Sequence, residues 1–183
     1  MHPVLRQYQL RVDEVAGTMV RLVFSLPAQR KALCDFASKI GANLDDTVTA
    51  VTFGQAEAPA VHVETFRNQI DALADGGHDE VLIGNVTTAY IYALWEDKYR
   101  GAFANARGLC KDEIKSKFFG ELGTYRHAII HNQSIGTSKT ASLAILQAFP
   151  AGAPVTVDRH VFEAILCNVR SELQAISNCA SAG

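Results

Sequence analysis

The chain has 183 residues, 48% of them apolar and 20% charged, with a formal net charge of −2 and a pI near 6.3. That describes a folded chain able to bury one sizeable core. It excludes a disordered segment and a binder of nucleic acid that works through overall positive charge, and leaves room for a local basic patch.

The elements expected from periodicity and punctuation are mostly helices. Val12, Val15, Met19, Leu22 and Val23 recur at helical spacing. Pro27 is expected to interrupt that helix, Ala28 to restart it and Gly41 to stop it. Residues 47–53 are β-branched and alternating, so a short extended link is expected there, followed by a helix over 61–73 that ends at Gly76 and Gly77. The next helix is the clearest, with Leu82, Val86, Ala89, Tyr90, Ala93 and Leu94 as its apolar stripe. A short helix over 112–117, a helix over 118–130 and a short helix over 137–149 follow. Residues 150–157 read as a turn and an extended piece. Asp158 is placed to cap a last helix whose core face is Phe162, Ile165, Leu166, Val169, Leu173 and Ile176. The tail over 178–183 is small, polar and expected to fray.

No repeat, glycine-rich phosphate loop or GxSxG appears. The pattern predicts an all-α antiparallel helical bundle over residues 1–183, with extra N-terminal helices and one short extended segment. No apolar run approaches the roughly 18 residues that span a bilayer. The N-terminal residues lack the apolar stretch of a secretion signal, so a cytoplasmic chain with no membrane partner is expected. Cys34, Cys110, Cys167 and Cys179 show no metal-knuckle spacing and read as unrelated, mostly buried thiols.

The chemistry concentrates between Phe118 and Asn132, where Arg126, His127, His131 and Asn132 fall within seven residues. Arg126 and His131 are five apart, about 140° round an ideal helix and roughly 7.5 Å along it. They share no face automatically; a long Arg side chain, with a distortion near Asn132, would bring them together. An Arg and a neutral His facing one phosphate suffice to cleave RNA. The imidazole takes the 2′-hydroxyl proton, and the guanidinium clamps the phosphate and offsets its developing charge.

Arg126-His127-Ala128-Ile129-Ile130-His131 resembles the signature of the HEPN superfamily: an Arg, a polar residue, three more residues, then a His. Leu94-Trp95-Glu96-Asp97-Lys98-Tyr99-Arg100 is similar to the preceding helix in one group of bacterial HEPN proteins. So are Phe119-Gly120-Glu121-Leu122 and Ile130-His131-Asn132 around the motif, and the later Ile145-Leu146-Gln147-Ala148-Phe149-Pro150-Ala151-Gly152. The resemblance covers residues 80–177; residues 1–75 resemble nothing recognised. It implies an all-α bundle and, for many members, a metal-independent ribonuclease that dimerises so that two motifs form one cleft, often as a toxin or antiviral-defence effector. Other members are non-catalytic binding modules.

The expected function is therefore a HEPN-type endoribonuclease with no cofactor or metal. His131 serves as acid or base, Arg126 as phosphate clamp, and His127 as support or RNA contact. The expected partners are RNA, a second copy of the chain and a regulatory protein such as an antitoxin. The alternatives are a HEPN-like module that binds RNA, a nucleotide or a protein without cleavage, and a structural domain in which Arg126 and His131 make packing hydrogen bonds.

Each residue also has a plainer role available. His131 can cap helix carbonyls, and Arg126 can pair on the surface with Glu121 or Glu96. His127 and His131 have zinc-compatible spacing but lack a third ligand unless His160 or Asp158 folds back. Glu96, Asp97 and Arg100 form either a solvated charged face or a group that orients Arg126 or a catalytic His. Trp95 and Tyr99 read as core. Tyr125 fits either the core or a base-stacking platform, and Asn132 either a cap or a substrate contact. Residues 98–131 carry a local charge of +4, which would attract an RNA backbone.

Overall fold

The computed structural model describes residues 1–51 and 62–179. It is 71% helical, and the described residues form one two-stranded sheet, so the fold is all-α.

Helix α1 spans Pro3–Ile40. Pro3 suits the first turn, where its missing N–H would have no partner. Gly41 closes the helix in the left-handed conformation, at φ 63°. Leu5, Tyr8, Val12, Ala16, Met19, Val23 and Leu26 form its buried stripe. The break expected at Pro27 is absent. Pro27 lies on the exposed side, where the carbonyl its ring displaces can be hydrated, and the Ser25 hydroxyl donates to the Leu22 carbonyl at 2.7 Å. Burial of Val23 and Leu26 before it and Ala37 after it keeps both halves in one helix.

Strands β1 (Thr47–Val51) and β2 (His62–Thr65) pair antiparallel, with Thr47 opposite Thr65, Ala50 opposite Val63 and a bulge between Thr47 and Thr49. The extended stretch was expected to reach Phe53, which lies outside the described residues. The helix expected over 61–73 is shorter: α2 is Phe66–Ala72, because residues 62–65 pair with β1 and the Thr65 side chain caps the Asn68 amide.

Helix α3 (His78–Leu94) runs through a π-helical turn, Trp95–Tyr99, into α4 (Arg100–Ala106). Such turns are rare and recur at functional sites. A single 3₁₀ turn, Lys111–Glu113, replaces the helix expected over 112–117. Helix α5 spans Lys117–His131, its N-terminus capped by Ser116, whose hydroxyl accepts from the Phe119 amide at 3.0 Å. The helix expected over 137–149 is only the one-turn α6, Ser138–Ala141. Helix α7 is Arg159–Cys179, and Asp158 caps it as expected, accepting from His160 and Val161 at 2.9 Å each. The tail beyond Cys179 lies outside the described residues.

The core is aromatic at its centre. Trp95 stacks on Phe119 at 4.1 Å, and Tyr8 packs against Trp95, Tyr99 and Phe119 while its buried hydroxyl donates to the Ile91 carbonyl at 3.1 Å. Phe162, Ile165, Val169 and Leu173 complete this core from α7. The N-terminal residues thus share one core with the region of resemblance. Trp95 and Tyr99 are core, as expected. The thiols are not mostly buried: Cys110 and Cys167 are exposed and Cys34 is half-buried, and all three are free.

Only part of the apolar stripe read on α3 faces the core: Ala89 is buried and Leu94 packs against the core, but the rest of the stripe's large side chains point out. Leu82, Val86 and Tyr90 are exposed, while Glu80, Gly84, Asn85, Thr88, Ala89 and Ile91 are buried. Two polar members of that face, Asn85 and Glu80, hold the long connection between α5 and α7 and the start of α7. Asn85 donates through Nδ2 to the Val155 carbonyl at 2.9 Å, and its Oδ1 accepts from the Val157 amide at 3.0 Å. Glu80 accepts from Arg159 Nη2 at 2.7 Å, Arg159 Nε and amide at 2.9 Å each, and the Gly76 amide at 3.1 Å.

The hydrogen bond from the Arg159 side chain outweighs burial and holds the Glu80 carboxyl down at about 2. Stability from this contact is complete above the ordinary carboxyl value of 4.5 and fades as pH falls from there through about 2. Glu80→Gln is expected to cost about 3 kcal/mol at pH 7. The gap from wild type should shrink steadily in urea unfolding at pH 4 and pH 3, and a gap that does not change with pH would refute the assignment.

Candidate functional site

Helix α5 carries the candidate chemistry on its last two turns. Leu122, Tyr125, Ala128 and Ile129 face the core, which leaves Arg126 half-buried and His127 and His131 exposed. Arg126 and His131, five residues apart, meet: Nη1 lies 2.8 Å from Nε2. A guanidinium has only donors. Nε2 therefore accepts, and this contact requires a neutral His131 with its proton on Nδ1. The arrangement places a base and a fixed positive charge side by side at an exposed helix end.

The chain reverses just after this pair. Asn132 caps α5 but does not take the left-handed conformation; Gln133 and Ser134 do, at φ 52° and 59°. The Asn132 side chain donates to the Ile135 carbonyl at 2.6 Å, and the Ser134 amide returns to the Ala128 carbonyl at 3.0 Å. Asn132 therefore shapes the turn that ends the helix under His131.

His127 stands beside His131, with ring centres 5.2 Å apart. Among the described residues no group of three or more His, Cys, Asp or Glu side chains could hold a metal. The Asp158 carboxylate, one of the third ligands considered, is engaged in capping α7.

Neither carboxylate considered as a partner for Arg126 pairs with it. Glu121 is buried and accepts from the amides of Ala144, Ile145 and Leu146 at 2.8–3.0 Å. Burial raises its carboxyl, the three N–H groups lower it further, and the net result is below the ordinary value. This contact holds the 144–146 segment where a helix was expected.

Glu96 binds Arg100 through both carboxylate oxygens, at 3.0 and 3.2 Å, and Lys111 at 2.8 Å. Burial pushes it up, but those hydrogen bonds and charges leave it below its ordinary value. Arg100 also donates to the Ile114 carbonyl at 3.0 Å. Glu96 and Arg100 thus tie the π turn to the segment leading into α5 and do not orient Arg126 directly. Asp97 is exposed and takes no part in this network. Part of the basic patch is neutralised here, since Arg100 and Lys111 share Glu96.

Tyr125 belongs to the core. It is fully buried, packs on Phe149 at 5.6 Å and donates its hydroxyl to the Gln147 carbonyl. It cannot serve as a platform for a base. Tyr125→Phe is expected to cost about 1 kcal/mol in urea unfolding and to leave RNA binding unchanged; weaker binding with unchanged stability would contradict this placement.

One residue near the motif escaped the sequence reading. Tyr92 on α3 is half-buried, and its hydroxyl lies against Gly123, where a Cβ would come within 2.9 Å of it. Burial and Glu96 raise the phenol above its ordinary value, while Arg100, Arg126 and Lys111 pull the other way. It remains a neutral O–H donor at neutral pH. The only signal available was its place four residues before Glu96 in an aromatic-acidic run.

No family model matches the chain, and no curated protein or solved structure matches it either.

Proposed function

We propose that the protein is a metal-independent endoribonuclease of the HEPN type. The observation that carries this reading is the 2.8 Å contact between Arg126 Nη1 and His131 Nε2 at an exposed helix end. RNA entering this site draws the guanidinium onto a non-bridging phosphate oxygen and frees Nε2. The neutral imidazole removes the 2′-hydroxyl proton, and the 2′-oxygen attacks the adjoining phosphorus as the bond to the 5′-oxygen breaks. Arg126 offsets the charge that builds on the phosphoryl oxygens. The products are a 2′,3′-cyclic phosphate and a 5′-hydroxyl. His127, beside His131, contacts the RNA backbone.

One motif supplies one imidazole, whereas the reaction uses a base and an acid. A homodimer supplies both, and the exposed apolar Leu82, Val86 and Tyr90 of α3, the helix packed on α5, give such a pairing a surface. Control by a regulatory protein, and a role as a toxin or antiviral-defence effector in the cytoplasm, belong to the same reading. The non-catalytic alternative would be favoured by a buried His131, and His131 is exposed.

The test is cleavage of a mixed labelled RNA pool by purified protein in EDTA, with mass spectrometry of the ends. Cyclic phosphate and 5′-hydroxyl termini are expected. RNA bound but left intact would move the assignment to a binding module.

A further inference from the structure

A small cleft opens between α3, the π turn and the N-terminal end of α5, on the approach to Arg126. Its volume is about 190 Å³, and its walls include Tyr92, Trp95, Glu96, Lys115, Phe119 and Gly120. This is smaller than the roughly 300 Å³ of a drug-sized pocket and suits a single flat ring. The floor is apolar, where Trp95 and Phe119 stack at 4.1 Å. The rim is polar and mixed in charge. Glu96 is already held by Arg100 and Lys111, so it acts as a fixed wall. Tyr92 offers a neutral hydroxyl that makes no hydrogen bond among the described residues, and Lys115 is exposed at the mouth.

Two features join this cleft to the proposed reaction centre. Tyr92 overlies Gly123, one turn before Arg126, and feels the charge of Arg126. Gly120 lies six residues before Arg126, about 9 Å along the helix and about 120° round it, with Gly123 and the overlying Tyr92 between the two. Gly120 carries no side chain, so a ring can approach the helix backbone there. A Cβ at Gly120 would meet nothing within 4 Å. A glycine inside a helix costs stability relative to alanine. Gly123 needs its glycine to admit Tyr92, whereas packing within the chain does not require one at Gly120.

We propose that this cleft seats the base of the nucleotide adjoining the scissile phosphate, with Tyr92 as a substrate-positioning residue. The base enters edge-on above Gly120, and the Tyr92 hydroxyl donates to it or to its ribose. Lys115 meets the next phosphate. The inference rests on the ribonuclease reading for its orientation, and its test does not depend on cleavage.

The probe is a fluorescein-labelled pool of eight-nucleotide RNAs with 2′-O-methyl groups throughout, which removes the nucleophile. Binding is read by fluorescence anisotropy in EDTA. Gly120→Leu fills the cleft from a position with open space, so its melting temperature should equal or exceed that of wild type. Its Kd should rise about tenfold or more, and Tyr92→Ala should match it. Tyr92→Phe, which keeps the ring, should raise Kd about threefold. Gly101→Leu, at another helical glycine whose Cβ meets nothing within 4 Å and which lies outside the cleft, should bind as wild type does. Unchanged binding by Gly120→Leu and Tyr92→Ala would overturn the proposal, as would absence of probe binding by wild type. Probe binding lost in both variants, together with intact RNA in the cleavage assay, would support the cleft while refuting the nuclease.

Discussion

Arg126→Ala and His131→Ala are each expected to lower RNA cleavage on the order of 100-fold or more, the loss typical when a positioned acid–base or charge-stabilising group is removed. Neither should unfold the protein. His131 is exposed, Arg126 is half-buried, and their hydrogen bond joins them to each other. Melting temperatures should stay within about 2 °C of wild type. The pair also predicts non-additivity. If both act on one phosphate, the double variant should be little worse than the poorer single one. Variants that melt early and leave cleavage intact would turn the pair into a packing contact. Arg126→Lys separates clamp from charge: Lys keeps the charge without the planar fork, so cleavage should recover only in part.

Gly84→Ala is expected to be the most damaging single methyl in the described chain. A Cβ there would lie 1.8 Å from the Val157 carbonyl oxygen, a backbone atom that cannot turn aside. Accommodating it displaces the segment over 155–157 and strains both hydrogen bonds from Asn85 to Val155 and Val157. The combined overpacking and lost hydrogen bonding should cost about 3 kcal/mol or more, or roughly 6–12 °C in melting temperature. Gly101→Ala, with open space around its Cβ, should instead gain about 0.5–1 kcal/mol. Cleavage should fall in parallel in Gly84→Ala, because the same connection begins at the turn under His131. A Gly84→Ala protein that melts with wild type would mean that α3 and this segment do not approach so closely.

The two helices that flank the site show how unevenly a sequence reveals its fold. Helix α7 was legible because its apolar residues recur at helical spacing on one side and Asp158 stands where a cap is needed. Local pattern and tertiary packing ask for the same face. Helix α3 misled for the opposite reason. Its buried face contains Glu80 and Asn85, polar residues outside the apolar stripe, while Leu82, Val86 and Tyr90 of that stripe lie outside. A polar side chain is stable inside only where distant backbone groups meet it. The partners of Asn85 lie 70 and 72 residues away. No local periodicity encodes that.

The candidate site divides in the same way. The spacing of Arg126 and His131, and the helix that carries them, could be read directly from residues 117–132. Whether side chains five apart would touch could not, since it depends on the Arg rotamer and on the reversal at Gln133 and Ser134. The identity of the carboxylates' partners was also hidden. Glu121 sits closer to Arg126 in sequence than anything else acidic, yet it turns inward to the amides of 144–146, because three unpaired N–H groups hold a buried carboxylate better than one exposed cation does.

By itself, then, the sequence determined the all-α class, the last two long helices with the Asp158 cap of the second, and the residues able to do acid–base chemistry, since these follow from spacing and side-chain type. Only the tertiary structure decided that Leu82, Val86 and Tyr90 of α3 lie outside, that α1 runs through Pro27, that Tyr125 is core, and that Tyr92 of α3 lies over Gly123, one turn before Arg126. Each of those outcomes is set by contacts between segments far apart in the chain, where burial and hydrogen-bond satisfaction outweigh local preference.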